Sequence, residues 1–176
     1  MALIKKFRIK SYKNNKPLVK LQNISLAFGN RKILENISFN IDRGSILGLL
    51  GPNRVGKSTI FNLIMGLIKP DYGKILFDNQ DATNLPVYER ATKFSLGFCP
   101  QKGGFFGDLT LMENLNAIGE ILVKDDKERI SKIDKLIAKF ELDSVRNIKA
   151  SLLSGGQQKK LIIALALIGD PKILLL

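Results

Sequence analysis

The sequence predicts an α/β fold built on a strand, a glycine-rich loop and a helix in immediate succession. Ser45-Ile46-Leu47-Gly48-Leu49-Leu50 is nearly all apolar, the composition of a strand covered on both faces. Gly51-Pro52-Asn53-Arg54-Val55-Gly56-Lys57-Ser58 follows without an intervening residue. From Ser58 to Leu67 the apolar residues recur at helical spacing.

The flanking segments read in order. Residues 1–17 are a basic extension ending at Pro17. Leu18–Leu21 and Ile24–Phe28 are short strand-like runs, Gly29-Asn30 is a turn signal, and Ile33–Ile41 alternates again, so a small antiparallel sheet is expected. Arg43-Gly44 is a second turn. Beyond the glycine-rich loop and its helix, Lys69–Gly73 is a turn, Lys74–Phe77 a strand and Asp78–Asp81 a further turn. Pro86–Lys93 predicts a short helix with its proline in the first turn, and Ser95–Cys99 another strand.

From about Asp108 to Ala150 the chain reads as a helical insertion. Thr110-Leu111-Met112-Glu113 fits a capping box, and Ile130, Ile133, Ile137 and Phe140 recur at helical spacing. Gln157–Ile168 predicts a helix closed by Gly169, and Lys172–Leu176 begins another buried strand.

Bulk properties set limits. With 45% apolar residues, 176 residues suffice for one core, or one core with a small appended lobe. No apolar run reaches the roughly 18 residues of a membrane span, and the N-terminus lacks the apolar stretch of a signal peptide. The single cysteine, Cys99, excludes an internal disulfide and suits a reducing, cytoplasmic setting. The net charge is +12, and nine cations, from Lys5 to Lys32, precede the first acidic residue, Glu35. Such an arm reads as a solvated tail, with an anionic membrane surface as the alternative. Aromatic residues are not interleaved with the charges, which argues against nucleic acid.

Gly51–Ser58 matches the pattern G-x-x-x-x-G-K-[ST]. Glycines let the backbone fold tightly around an anion and turn its N–H groups inward. The loop opens onto a helix N-terminus, which carries roughly half a positive charge. Lys57 is placed to reach the terminal phosphates of ATP, and the Ser58 hydroxyl to ligate Mg²⁺. The candidate ATP-binding residues are therefore Gly51, Pro52, Asn53, Arg54, Val55, Gly56, Lys57, Ser58 and Thr59. Arg54 is unusual where such loops carry a small residue. Either it is strained by about 1–3 kcal/mol at a positive φ, or its charge supplements phosphate binding.

Leu153-Ser154-Gly155-Gly156-Gln157 begins 102 residues after Gly51. Ser154 can cap a helix, and the amides of the two glycines can approach a phosphate. The loop and this pentad together resemble the ATP-binding subunits of ABC transporters, from Leu18 to the end of the chain. The resemblance implies a P-loop NTPase with a RecA-like core, an N-terminal antiparallel β subdomain and a helical subdomain at approximately 102–155. It makes 18–176 a partial ATP-binding domain, incomplete at its C-terminus. It assigns Ser154, Gly155, Gly156 and Gln157 to ATP held by a second subunit of a head-to-tail homodimer. Phe28 matches the aromatic that stacks on adenine, although a phenylalanine ending a strand is also ordinary core. Gln101 matches the glutamine that reaches Mg²⁺ and the attacking water, so Lys57 and Gln101 are the catalytic candidates and Ser58 and Gln101 the metal ligands. The helical subdomain is expected to receive transmembrane permease subunits. Phe105 and Phe106 either line that groove or pack internally.

In this family the last hydrophobic strand runs into Asp-Glu, and a switch histidine follows. Here Ile173–Leu176 ends the sequence, and there is no histidine. ATPase activity is expected of a complete relative, and little turnover of these 176 residues, since losing a catalytic base costs about 10²–10⁴-fold. The runs Leu85–Gln101 and Phe105–Leu115 resemble the lipopolysaccharide-export ATPases, which work on the cytoplasmic face of the inner membrane. Branched-chain amino-acid importers are the near alternative. Leu165 departs from the export pattern, where an arginine is common. Two further readings are a soluble ATPase of the same type acting on nucleic acid or ribosomes, and a non-hydrolysing nucleotide-binding module.

Overall fold

The computed structural model describes residues 3–8, 17–53 and 55–176. The chain divides into two compact units that meet in sequence between Phe94 and Ser95. No described helix is long and apolar enough to cross a membrane.

The first unit holds the expected antiparallel sheet. Strands β2 (Pro17–Phe28) and β3 (Arg31–Asp42) form a hairpin across Gly29-Asn30. Strand β5 (Tyr72–Phe77) pairs with the other edge of β2, and the two-residue β6 (Gln80–Asp81) pairs with β5. The predicted turn over Asp78–Asp81 thus contracts to Asp78-Asn79, since Gln80 and Asp81 join the sheet.

The hairpin is longer than its two predicted pieces because side chains absorb its irregularities. Asn23 and Asn36 adopt φ of 51° and 50° at the register shifts. Asparagine tolerates this left-handed region better than most residues. The Ser38 hydroxyl accepts from the Asn23 N–H at 2.8 Å, and that of Ser25 from the Asn36 N–H at 3.0 Å. Gly73 fits against this bulge at φ 96°, where a Cβ would lie 2.4 Å from the Gln22 carbonyl oxygen.

Strand β4 (Ser45–Leu50) leads into the glycine-rich loop and helix α1 (Lys57–Met65). Its pairing corrects one expectation. Its described partner is β1 (Leu3–Arg8), antiparallel, with Leu3 opposite Leu50 and Arg8 opposite Ser45. Part of the stretch read as a basic extension is therefore a strand. In this two-stranded ribbon Ile46 remains 55% and Leu50 46% exposed, so β4 is not covered on both faces.

Helix α2 (Val87–Phe94) stacks Phe94 on Phe77 at a centroid separation of 4.6 Å. Its Arg90 is fully buried.

The second unit contains β7 (Leu96–Phe98) and β8 (Ile173–Leu175), paired in parallel as an α/β crossover requires. Helices α3 (Leu111–Leu122), α4 (Asp126–Phe140) and α5 (Gly155–Leu167) surround a core of Leu111, Leu115, Ile133, Ile137, Leu161 and their neighbours. The predicted capping box is present at Thr110 and Glu113, with Thr110 Oγ1 accepting from the Glu113 N–H at 3.2 Å. Helix α5 begins at Gly155, two residues before the predicted start.

Candidate functional site

The glycine-rich loop is shaped by one residue that must lack a side chain. Gly56 caps α1 at φ 99°, and an added Cβ would meet Leu34 Cδ2 at 2.8 Å and the Ile33 carbonyl oxygen at 3.3 Å. Bending the chain there brings Lys57 back over the loop. Its Nζ donates to the carbonyls of Gly51 and Pro52, each at 2.7 Å. No side chain caps α1, so the positive end of the helix dipole faces outward beside this ammonium group. Gly51, Pro52, Asn53 and Ser58 are exposed, and Val55, Lys57 and Thr59 half-buried. Arg54 lies outside the described residues.

Phe28 ends β2 with 57% of its surface exposed. That exposure excludes the ordinary core reading and leaves a ring free to stack on a planar ligand. Gln101 is exposed in the loop after β7. The two neighbouring phenylalanines divide: Phe105 packs against the helical core, whereas Phe106 is 56% exposed.

At the start of α5, Ser154 Oγ accepts from the Gln157 N–H at 3.3 Å, and Gln157 Oε1 accepts from the Ser154 N–H at 2.9 Å. This reciprocal box fixes the first turn and buries Leu153 beneath it. Gly155 and Gly156 are exposed, with no atom within 4 Å of where a Cβ would stand. Their glycine identity therefore opens space outside the chain rather than satisfying a contact within it.

The model of the ABC transporter family matches residues 34–176. The chain belongs to the ABC transporter family. Among curated proteins the cassette is 38% identical to the lipopolysaccharide export system ATP-binding protein LptB of Haemophilus influenzae, over 88% of this chain and 64% of that protein. It is 37% identical to a probable ABC transporter ATP-binding protein of Azorhizobium caulinodans, over 87% of this chain and 54% of that one. The cassette therefore spans less than two thirds of either relative.

Solved ATP-binding cassettes share its fold. The ADP conformation of MJ1267, an ATP-binding cassette of an ABC transporter, superposes with a TM-score of 0.77 at 30% identity, over 90% of this chain and 67% of that one. Clostridium perfringens cbiO1, part of the ABC transporter complex cbiONQ, gives a TM-score of 0.77 at 26% identity, over 92% and 64%.

Two residues of structural weight carry no role in the sequence reading. Arg90 donates to the carbonyls of Leu63 at 2.5 Å, Ile64 at 3.0 Å, Thr83 at 3.0 Å and Leu85 at 2.8 Å, closing the C-terminal end of the phosphate-loop helix. Burial pushes its guanidinium down to about 10, partly offset by Asp81, and it stays charged at neutral pH. Asn114 is also fully buried. The one available signal was its place in α3, a polar residue among the buried positions Leu111, Leu115 and Gly119.

Proposed function

We propose that the chain is the ATP-binding part of an ABC transporter motor subunit, with Gly51–Thr59 enclosing the phosphates. The observation that carries this reading is the pairing of Gly56 and Lys57. A left-handed glycine too crowded to bear a Cβ turns the lysine ammonium onto the loop carbonyls, beside an uncapped helix N-terminus. On binding ATP, Lys57 exchanges those two carbonyls for phosphate oxygens, and the loop amides and helix dipole add their partial charges. Phe28 stacks on the base.

Ser58 and Gln101 offer hard oxygen donors of the kind Mg²⁺ takes, and the described residues contain no cluster of three metal-binding side chains. Mg²⁺ would then be held largely through the nucleotide, where it neutralises phosphate charge. Gln101 is the residue proposed to orient the attacking water.

Ser154, Gly155, Gly156 and Gln157 present an open helix start to ATP on a second subunit, so the working form is a homodimer beneath transmembrane permease subunits, on the cytoplasmic face of the inner membrane. Lipopolysaccharide is the proposed cargo, supported by the likeness to LptB proteins. A branched-chain amino-acid importer is the second reading.

The test is Lys57→Ala. Equilibrium binding of a fluorescent ATP analogue should fall by about 100-fold, as expected when a charge-assisted contact to phosphate is lost. Affinity within twofold of the parent would remove the loop from this role.

A further inference from the structure

We propose that Asn114 is a positioning residue that locks the loop Phe106–Thr110 to the segment leading into the signature helix, so that the two move as one body. Asn114 lies wholly inside the second unit and uses both ends of its amide. Its Oδ1 accepts from the Phe106 N–H at 2.7 Å. Its Nδ2 donates to the carbonyls of Phe106 at 2.9 Å, Thr110 at 2.9 Å and Leu109 at 3.3 Å. One side chain therefore fixes both ends of a five-residue loop.

That loop is in turn bonded to residues 146–151. The Ala150 N–H donates to the Leu109 carbonyl at 2.8 Å, and the Ser151 N–H to that of Gly107 at 3.0 Å. In the other direction, the Leu111 and Met112 N–H groups donate to the carbonyls of Ile148 and Arg146, each at 3.0 Å. Thr110 and Lys149 form an isolated antiparallel bridge. From Ala150 the chain reaches Ser154 in four residues through a short 3₁₀ turn, Ala150–Leu152. The Leu153 N–H donates to Ala150 at 3.4 Å, and Gln158 Nε2 also holds the Ala150 carbonyl at 3.1 Å. An unbroken set of hydrogen bonds thus joins the exposed Phe106, through Asn114, to the capping box of α5.

The consequence is mechanical. A force on the loop after Gln101 cannot be absorbed locally, because its backbone groups are tied to a buried amide and to the signature approach. It displaces the Ser154–Gln157 turn instead. This consequence rests on the proposed nucleotide role of that turn, but the physical coupling does not.

Phe106, Ala150, Ser151 and Leu153 take part through their backbone N–H groups, so amide hydrogen exchange on the full chain without nucleotide reads the coupling. Two variants separate hydrogen bonding from packing. Asn114→Asp keeps the shape and the acceptor but turns a second oxygen toward three carbonyls. Asn114→Leu keeps the volume and removes all four bonds. At neutral pH both should exchange about tenfold faster than the parent at Ala150, Ser151, Leu153 and Ser154, and Asn114→Leu also at Phe106, with Leu115 and Ile133 unchanged. Relative to the parent at the same pH, Asn114→Asp should recover protection as the pH is lowered toward the raised pKa of the buried acid, which regains a proton to donate, whereas Asn114→Leu should not.

Unchanged protection at Ala150–Ser154 in both variants would overturn the coupling. So would loss confined to Phe106, or equal loss at Leu115 and Ile133, which would make Asn114 a general stability residue. Failure of the Lys57→Ala test would leave these exchange results untouched.

Discussion

Replacing Arg90 with methionine should destabilise the cassette by about 3 kcal/mol, and the figure can be built from its contacts. Four carbonyls receive the guanidinium: Leu63, Ile64, Thr83 and Leu85. The Leu63 oxygen also accepts from the Gly66 N–H at 3.2 Å, so it keeps a partner after the substitution. The Ile64 carbonyl loses a buried donor, whereas those of Thr83 and Leu85 lose part-buried ones that water can replace. A buried carbonyl left without a partner costs about 1–3 kcal/mol.

Against a cost of about 1–3 kcal/mol at Ile64, and less at each of the others, stands the relief of a cation that burial has already pushed down to about 10. Removing one partner from a buried charge network generally costs about 3–5 kcal/mol, which places the net loss at the lower end of the range. Methionine fills most of the volume, so the measured loss reports hydrogen bonding rather than a cavity. Urea unfolding of the full chain, followed by far-ultraviolet circular dichroism, is the assay. Arg90→Lys, with three donors on a point charge, should fall between the two. A loss below about 1 kcal/mol for Arg90→Met would refute the claim that this network closes the phosphate-loop helix.

Three further outcomes follow from the same structure. Gly56→Ala forces a Cβ to 2.8 Å from Leu34 at φ 99°. It should cost about 1–3 kcal/mol in thermal unfolding and lower ATP-analogue affinity by at least about tenfold. Phe28→Ala should weaken analogue binding by about five- to tenfold, the worth of one aromatic stack, without moving the unfolding midpoint, because the ring is 57% exposed. The backbone N–H and hydroxyl of Thr110 hold the Glu113 carboxyl below its usual 4.5, and the hydroxyl and backbone N–H of Thr83 hold Asp81 below 3.8. Both groups have lowered folded-state pKa values, so their stabilisation is present above the ordinary carboxylate range and lost as pH falls below about 4.5. Urea midpoints measured from pH 6 to pH 3 should decline less steeply in Glu113→Gln than in the parent.

What the sequence by itself determined is local chemistry. The glycine and lysine of the phosphate loop, the two capping boxes at Thr110 and Ser154, and the turn at Gly29-Asn30 each depend on residues within a few positions of one another. Spacing alone exposes them. Helix and strand order was legible for the same reason, with ends displaced by one or two residues.

What only the tertiary structure decided depends on distant partners. Arg90 reads as one more surface cation until α2 packs on α1 and carbonyls 26 and 27 residues away become its acceptors. Asn114 reads as a helical polar residue until the Phe106 loop folds over it. Phe105 and Phe106 are adjacent and chemically identical, yet one packs on the core and the other faces out. The basic arm contributes a strand along β4 because that strand has an edge to pair, a fact no property of residues 3–8 reveals alone. Burial and hydrogen-bond satisfaction are relations between segments, so they arise only when the chain has been brought together.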